Sequence, residues 1–558
     1  MTDPNRNARW ARVIAEEMRR AGTGLAVLCP GSRNSPLLFA LATAFGEDAV
    51  SHIDERSAGF LALGFMRASG RPAVVCVTSG SAVANLLPAL VEARADRLPL
   101  LVISADRPWE AIGCGAPQAL RQEGLLREGV LHEVFLGEPS DEDHALRSLR
   151  REVARLAQTA GPAHLNVPLR DPLPPLPDPT WTPVPVSELA EHGRADGTPF
   201  THVAGPSTPP VPECRWRTPG QRVIIVVGPG PDVGALADLE ALAHRTGFPV
   251  LADATARVRD FPGLITTGDA LVGSALGQEP VDLLIVVGRP PVTRALQEWI
   301  AAGAGRVLTV STVGGIDPGA RAEVALEGPG ALRALIAHVP ALGDAVWRQR
   351  WIDADAAARA RLTAAVAALP WGEAAAVADS LAASWPTFQV LASSMAIRHA
   401  NLLRRPSPRP VFANRGTNGI DGTLGTFLGA SRHAGAGLLV VGDLAFQHDL
   451  PALAAGGQGA IVLLNNGGGA IFDYLPVAQV PAYDRWVRTS HARTFGPAAE
   501  LFGLIYHPVR DRAGLALALE QSHDGRLHLI ECLVQGLEAV SEHRRLLRCA
   551  RGQDQHHA

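Results

Sequence analysis

The 558-residue chain predicts an α/β protein of three doubly wound parallel-sheet units, and three features of its sequence carry that prediction. Its apolar runs are short, rich in Val, Ile and Leu, and stop at glycine or a turn former, as strands buried on both faces do. Helix-compatible stretches alternate with them, which is the pattern of βαβ units in a parallel sheet. The alternation breaks at DPLPPLPDPTWTPVPV (171–186), where proline at nearly every second position is incompatible with a helix or a central strand.

Taken in order, residues 1–170 form the first unit, opened by an amphipathic helix with Trp10, Val13, Ile14 and Met18 at helical spacing. Strands are expected at 25–28, 50–53, 73–77, 98–103 and 164–167. Residues 171–220 read as an extended, partly mobile linker. A second unit spans 221–345, with strands expected at 223–227, 249–251, 283–287 and 307–310. The first of these runs into GPGPDVG (228–234), which invites a dinucleotide-binding reading. Pro229 and Pro231 delete amide donors there and the spacing is GxGxxxG, so a tight strand-to-helix turn of a structural domain is the better reading. Alanine-rich helices are expected over 346–402, and the third unit occupies 403–558, ending in a charged tail.

Composition excludes several functional classes. With 47% hydrophobic and 19% charged residues the chain is a folded globular protein rather than a disordered one. A formal net charge of −4 gives no general attraction to nucleic acid or to an anionic membrane, and neither is expected as a partner. The chain contains no lysine, so Schiff-base and phosphate-loop lysine chemistry are both excluded. Cys29, Cys76, Cys114, Cys214, Cys532 and Cys549 form no CxxC pair, which argues against zinc and against a disulfide framework. No apolar signal-type core and no apolar run of membrane-spanning length occur, so a cytoplasmic location is expected.

The stretch richest in chemistry is GLLVVGDLAFQHDLPALAAGGQGAIVLLNNGGGAIFDYLP (437–476). One apolar run ends in Gly442-Asp443 and the next in Asn465-Asn466, followed by three glycines. Asp443 and Asn466 are thus expected at the carboxyl ends of neighbouring parallel strands, where open α/β sheets bind ligands. One carboxylate, one carboxamide and the Gly468 carbonyl make an all-oxygen set suited to Mg²⁺, which is usually shared between few protein ligands and substrate phosphates. Read alone, the same residues serve as strand-end caps. In HIDERSAGF (52–60), Glu55 opens a helix, where the dipole favours an acidic residue for structural reasons too. In CPGSRNSP (29–36), Ser32 and Arg33 sit at the mouth of a helix, which makes a carboxylate site or, equally, an Asn34/Ser35 cap beside a solvated arginine. Ser394 and Arg398 lie four apart on one helix face, and Arg415 stands among the glycines of NRGTNGIDGTLGT (414–426).

Together these stretches resemble the thiamine-diphosphate enzymes, whose diphosphate–metal motif is usually GDG followed by NN some two dozen residues later. Leu444 replaces the usual third-position glycine, and in this the chain is similar to the menaquinone-pathway branch, the MenD family. That resemblance covers roughly residues 8–540 and is thin in the second unit. It implies pyrimidine-binding, middle and diphosphate-binding domains, with thiamine diphosphate and Mg²⁺ (or Mn²⁺) as cofactors. Glu55 becomes the carboxylate that activates the pyrimidine. Ser79 and Gly80 of VTSGSAVANLLPAL (77–90) lie against that ring, and Gln118 and Arg107 lie near the thiazolium and its adduct. Gly442, Asp443, Leu444, Asn466 and Gly468 bind diphosphate, with Asp443, Asn466 and Gly468 on the metal. Ile420 wedges between the cofactor's rings, and Ile471, Phe472 and Leu475, at helical spacing, wall the thiazolium.

Glu55, Gln118 and Arg398 are the implied catalytic residues. Substrates are implied for Ser32, Arg33, Arg107, Ser394, Arg398 and Arg415, with Arg294 reaching the second substrate. So many guanidiniums suit substrates bearing several carboxylates. No histidine pair stands near the motifs. The implied reaction is decarboxylation of 2-oxoglutarate and 1,4-addition of the succinyl semialdehyde carbanion equivalent to isochorismate, in a homodimer or dimer of dimers with active sites at the subunit interface. Two alternatives are an acetolactate-synthase-type carboligase carrying FAD, against which Leu444 and the arginines argue, and a non-catalytic binding protein on the same fold, against which Glu55, Asp443 and Asn466 argue.

Overall fold

The computed structural model describes residues 3–204, 211, 221–230, 233–256, 261–303, 305–339, 343–405, 407, 409–534 and 539–553. Among them, eighteen strands form three six-stranded sheets in which each pairing is parallel. The first sheet contains β1 (Leu25–Leu28), β2 (Ala49–Ser51), β3 (Ala73–Val77), β4 (Leu100–Asp106), β5 (His132–Phe135) and β6 (Ala163–Pro168). The second contains β7 (Val223–Val227), β8 (Val250–Ala252), β9 (Leu264–Ile265), β10 (Leu283–Val287), β11 (Arg306–Ser311) and β12 (Ala322–Glu327). The third contains β13 (Gln389–Leu391), β14 (Val411–Phe412), β15 (Gly437–Gly442), β16 (Gly459–Asn465), β17 (Ile505–Val509) and β18 (Leu527–Leu533).

Sheets one and three share one strand order, β2-β1-β3-β4-β6-β5 and β14-β13-β15-β16-β18-β17. In each, the order reverses beside the first strand, which opens a crevice at the carboxyl ends of β1 and β3 and of β13 and β15. The middle sheet, β12-β11-β10-β7-β8-β9, has the order of dinucleotide-binding folds. Its crevice is closed by chain, however. A Cβ on Gly228 would lie 2.0 Å from the Arg289 carbonyl, and Arg289 N–H donates to the Pro229 carbonyl at 2.8 Å. Pro231 of the GPGPDVG turn lies outside the described residues.

The central strands are buried end to end, which is why their apolar runs are readable. Strands that sequence reading missed are edges or carry buried polar groups. β5, β12 and β17 expose alternate or successive positions, and β18 buries His528 and Glu531. The stretch 346–402, expected to be helical, holds the helices Ala345–Ala367, Glu373–Ala382 and Met395–Leu403, but also supplies β13 to the third sheet. The strand expected at 50–53 is Ala49–Ser51, leaving Ile53 exposed, and the one expected at 98–103 runs on to Asp106.

By contact density the chain separates into two compact units, residues 1–205 with 414–435 and 448–457, and residues 206–413 with 436–447 and 458–558. Within the first unit the helices Glu55–Ser69 and Thr423–Ala434 meet backbone to backbone. A Cβ on Gly64 would stand 2.0 Å from the Thr426 carbonyl oxygen, and one on Gly429 would stand 1.9 Å from that of Leu61. Only glycine permits that approach. The proline-dense stretch and the residues after it are tied down as far as Val203, whose N–H donates to Gln158 Oε1 at 3.1 Å. Asn5 Nδ2 donates to the carbonyls of Pro174 and Leu176, Trp181 Nε1 donates to Asp141, and the short helix Glu188–His192 is capped by Ser187. Prolines bring no N–H of their own, so carbonyls of the stretch are satisfied in part by side chains of its neighbours. Residues 205–210 and 212–220 of the expected linker lie outside the described residues. Among the described residues, no helix is long and apolar enough to cross a membrane.

Candidate active site

In the first unit, the carboxyl ends of β1 to β4 gather the residues singled out from sequence. Glu55 is the first residue of the helix Glu55–Ser69, half-buried, and its Oε2 accepts a hydrogen bond from Asn85 Nδ2 at 3.2 Å. Cys29, just past β1, lies close enough for the Glu55 charge to add to the burial that pushes its thiol pKa up. The capping alternative for CPGSRNSP does not hold. Asn34 turns inward, donating to the Cys29 carbonyl at 2.9 Å, and leaves the following helix uncapped. Arg33 is half-buried rather than solvated and donates to the Leu169 carbonyl at 2.7 Å. Burial first, then the charge of Arg107, lowers the Arg33 guanidinium pKa. Two guanidiniums held this near each other make a site for an anion. Ser32 is exposed beside them.

Past β3, Ser79 Oγ donates to the Gln118 carbonyl at 3.1 Å, and Gln118 Nε2 donates back to the Ser79 carbonyl at 3.0 Å. Gly80 (φ +85°) packs against the Gln118 side chain, and its N–H donates to Gln122 Oε1 at 3.1 Å. Gln122 then donates to Asn166 Oδ1, and Asn166 to Asp106, whose Oδ1 receives the Arg107 N–H at 2.7 Å. One buried polar relay therefore joins the Gly80 turn to the backbone of Arg107. The segment carrying Arg415 and Ile420 also belongs to this unit. Buried Glu92 accepts from the N–H groups of Gly416 and Thr417, and buried Asp449 accepts from those of Gly422 and Leu424. Ile420, between the two anchors, is 48% exposed.

In the second unit, Asp443 follows β15 and opens a short helix, and Asn466 follows the neighbouring parallel strand β16. Asp443 is buried. Its Oδ1 accepts from the Leu444 N–H at 2.7 Å and its Oδ2 from the Gly468 N–H at 2.9 Å. Burial raises its pKa, and the Gly468 N–H and neighbouring His491, with Nε2 at 3.3 Å, oppose the rise. Asn466 Oδ1 accepts from the same Gly468 N–H at 3.2 Å. Gly468 needs its glycine. Its φ is +140° and a Cβ would stand 2.8 Å from the Arg488 carbonyl. A Cβ on Gly442 would meet nothing within 4 Å.

The chemistry of this donor set fits a hard dication. A desolvated carboxylate gains from a cation, Asn466 offers a carbonyl oxygen, and the Gly468 carbonyl, which accepts from the Ala470 N–H at 3.0 Å, keeps a second lone pair. Among the described residues no group of three or more His, Cys, Asp or Glu converges as a metal cage. That suits an ion whose remaining ligands come from phosphate and water.

Ser394 holds φ +77°, a conformation non-glycine residues rarely adopt, and its carbonyl accepts from Arg398 at 2.6 Å. Gln118 (φ +56°) and Asn418 (φ +60°) are held likewise. Backbone strain of this kind collects at functional sites. Ile471, Phe472 and Leu475 were expected at helical spacing. They occupy a 3₁₀ turn, Ala470–Tyr474, and its end. Leu475 is 47% exposed. Arg294 has its side chain 86% exposed and paired to Glu298 one turn along its own helix.

Sequence reading missed Glu92, Gln122, Glu373, Asp449 and His491, since each acts across more than twenty residues of sequence and sits in no motif of its own. It also missed a histidine pair. His399 and His543 meet edge to face, with ring centroids 5.1 Å apart, beside Arg398 and Tyr474. They are 144 positions apart, so only the fold brings them together. Five cysteines are free thiols, and Cys214 lies outside the described residues.

A family model described as "Thiamine pyrophosphate enzyme, N-terminal TPP binding domain" matches residues 8–125. The chain is 38% identical to a 2-succinyl-5-enolpyruvyl-6-hydroxy-3-cyclohexene-1-carboxylate synthase of Myxococcus xanthus, over 98% of this chain and 97% of the relative. Relatives of the same name are 37% identical in Halobacterium salinarum, over 91% of both chains, and 36% identical in Roseiflexus castenholzii, over 94% and 95%. With glycine-rich turns, Glu55 and the Asp443–Asn466 pair standing at strand ends, the chain belongs to the 2-succinyl-5-enolpyruvyl-6-hydroxy-3-cyclohexene-1-carboxylate synthase family of thiamine-diphosphate enzymes.

Proposed function

We propose that the chain decarboxylates 2-oxoglutarate and adds the resulting four-carbon unit to isochorismate, giving 2-succinyl-5-enolpyruvyl-6-hydroxy-3-cyclohexene-1-carboxylate for menaquinone biosynthesis in the cytoplasm. The observation that carries the reading is the Asp443–Gly468–Asn466 constellation, in a chain similar to such synthases along almost its full length. Bound thiamine diphosphate supplies the nucleophilic carbon and the electron sink that decarboxylation and carbon–carbon bond formation require.

The protein's part is to hold and orient. Asp443, Asn466 and the Gly468 carbonyl would hold Mg²⁺ or Mn²⁺, and with Gly442 and Leu444 they would bind the diphosphate. Glu55, steadied by Asn85, holds a proton at the pyrimidine ring nitrogen. Ser79, Gly80 and Gln118 pack against the rings. Ile420 would wedge between the cofactor's rings, and Ile471, Phe472 and Leu475 would supply an apolar wall, where low polarity disfavours charged species. Ser32, Arg33, Arg107, Ser394, Arg398 and Arg415 bind substrate carboxylates, and Arg294 serves the second substrate. In this reading residues 1–170 are the pyrimidine domain, 221–345 the middle domain and 403–558 the diphosphate domain. The enzyme is a homodimer or dimer of dimers whose sites form at the subunit interface.

The test is one assay, with thiamine diphosphate, Mg²⁺ and 2-oxoglutarate, with and without isochorismate. Loss of 2-oxoglutarate that depends on isochorismate, with CO₂ and one joined product, is expected. Decarboxylation indifferent to isochorismate overturns the acceptor assignment.

A further inference from the structure

Asn466 uses the two ends of its carboxamide in different directions. Oδ1 accepts from the Gly468 N–H at 3.2 Å, while Nδ2 donates to Glu373 Oε1 at 3.0 Å. A backbone N–H can only donate and an ionised carboxylate can only accept, so a single amide orientation satisfies both neighbours. Glu373 opens the helix Glu373–Ala382, 93 positions before Asn466, and is buried. Its second oxygen has no hydrogen-bond partner and lies 4.0 Å from His399 Nε2, which has none either. A buried carboxylate satisfied on one side only is costly to the fold, so its service to Asn466 calls for a reason outside stability.

We propose that Glu373 is a positioning residue of the metal site: by accepting from Nδ2 it locks the Asn466 carboxamide so that the oxygen, not the nitrogen, is presented on the Asp443–Gly468 side. An amide that flips offers –NH₂ to a cation and is no ligand at all. The inference rests on the reading of Asp443, Asn466 and Gly468 as metal ligands. Partners that orient a ligand in this way change metal affinity by about 10- to 100-fold when removed.

The experiment measures Mn²⁺ and Mg²⁺ affinity by titration calorimetry on the full chain with thiamine diphosphate present. Glu373→Leu removes the acceptor and should weaken metal binding about 10- to 100-fold. Glu373→Gln keeps an acceptor oxygen at the same reach and should stay within about threefold of the parent, given that one such contact is all that is preserved. The decisive background is Asn466→Asp, where both side-chain atoms are oxygens and orientation no longer matters. There Glu373→Leu should cost nothing. Should the leucine variant not fold, Glu373→Asp, one methylene too short to reach Nδ2, reads the same loss. An equal loss with Asn466 and with Asp at that position overturns the proposal, since it would mark a general structural effect. Unchanged affinity in Glu373→Leu overturns it too. If Asp443→Ala also leaves affinity unchanged, the ligand assignment beneath it is what has failed.

Discussion

The Glu92 carboxylate accepts the backbone N–H of Thr417 at 2.7 Å, across 325 positions of sequence. It also accepts the Gly416 N–H at 2.9 Å and pairs with Arg67 at 2.9 Å. Asp449 performs the same service at Gly422 and Leu424. The loop bearing Arg415 and Ile420 is thus anchored at both ends by buried carboxylates, which leaves few conformations to its centre. Replacing Glu92 by Met should cost about 2 kcal/mol, the worth of hydrogen bonds to a charged group. It should also raise the KM for 2-oxoglutarate about 10-fold, the kinetic equivalent of about 1.4 kcal/mol. Steady-state kinetics and a thermal melt measure both. An unaltered KM beside a lowered melting temperature would confine Glu92 to a structural role.

Glu55→Gln should reduce turnover by at least about 100-fold, the lower range for loss of a proton-holding group, with the circular dichroism spectrum preserved. Gln keeps the shape and the contact with Asn85 but cannot hold the pyrimidine proton. Near-normal turnover in this variant would remove Glu55 from the chemistry.

Asp443→Ala deletes the only acidic group of the proposed metal set. Calorimetry should show thiamine diphosphate binding that no longer responds to Mg²⁺. Retained Mg²⁺ dependence would mean that the dication is held elsewhere.

The Gly64–Thr426 contact leaves no room for a methyl group, because a Cβ would stand 2.0 Å from a carbonyl oxygen. Gly64→Ala should therefore destabilise the first unit by about 3 kcal/mol or more, since overpacking at a backbone contact has no side chain to yield. A melting temperature equal to the parent's would show that the two helices part at no cost.

The buried His399–His543 pair predicts a loss of stability in acid. Burial, with the Arg398 charge adding, pushes His543 down to about 4, and burial and then His543 push His399 well below its ordinary 6.5. The unfolded chain takes up these protons near pH 6.5, whereas folded His543 does so only near 4. Its contribution is complete above about 6.5 and is lost as pH falls toward 4, a span worth about 3 kcal/mol. His543→Phe should flatten the decline in melting temperature between pH 7 and 4.5. Parallel profiles for parent and variant would assign the acid sensitivity to other groups.

Legibility followed burial and proximity in sequence. The runs at β1, β3, β7, β10 and β16 are buried end to end and β15 as far as Val441, so each shows itself as an apolar run dominated by Val, Ile and Leu. Asp443 and Asn466 were placed at strand ends because those runs stop where the turn residues begin. β5, β12 and β17 escaped because an edge strand need not be apolar, and β13 escaped because three residues are too few to outweigh the helices around them. Ile471 and Phe472 were given helical spacing because a 3₁₀ turn and an α-helix bury similar positions over so short a stretch.

What the sequence determined by itself was the set of local facts: strands ending in glycine turns, a carboxylate and a carboxamide at two of those ends, Glu55 at a helix start, and arginine as the sole strong base. Each depends on neighbours within one strand, turn or helix, where steric and hydrogen-bonding preferences act directly. Only the tertiary structure decided which groups hold those residues in place. Glu92 reaches Thr417, Glu373 reaches Asn466, Gln122 reaches Gly80 and His399 meets His543 across separations of 325, 93, 42 and 144 positions. A hydrogen bond spans about 3 Å, and no local pattern records which distant segment the packing of parallel sheets will bring within that reach.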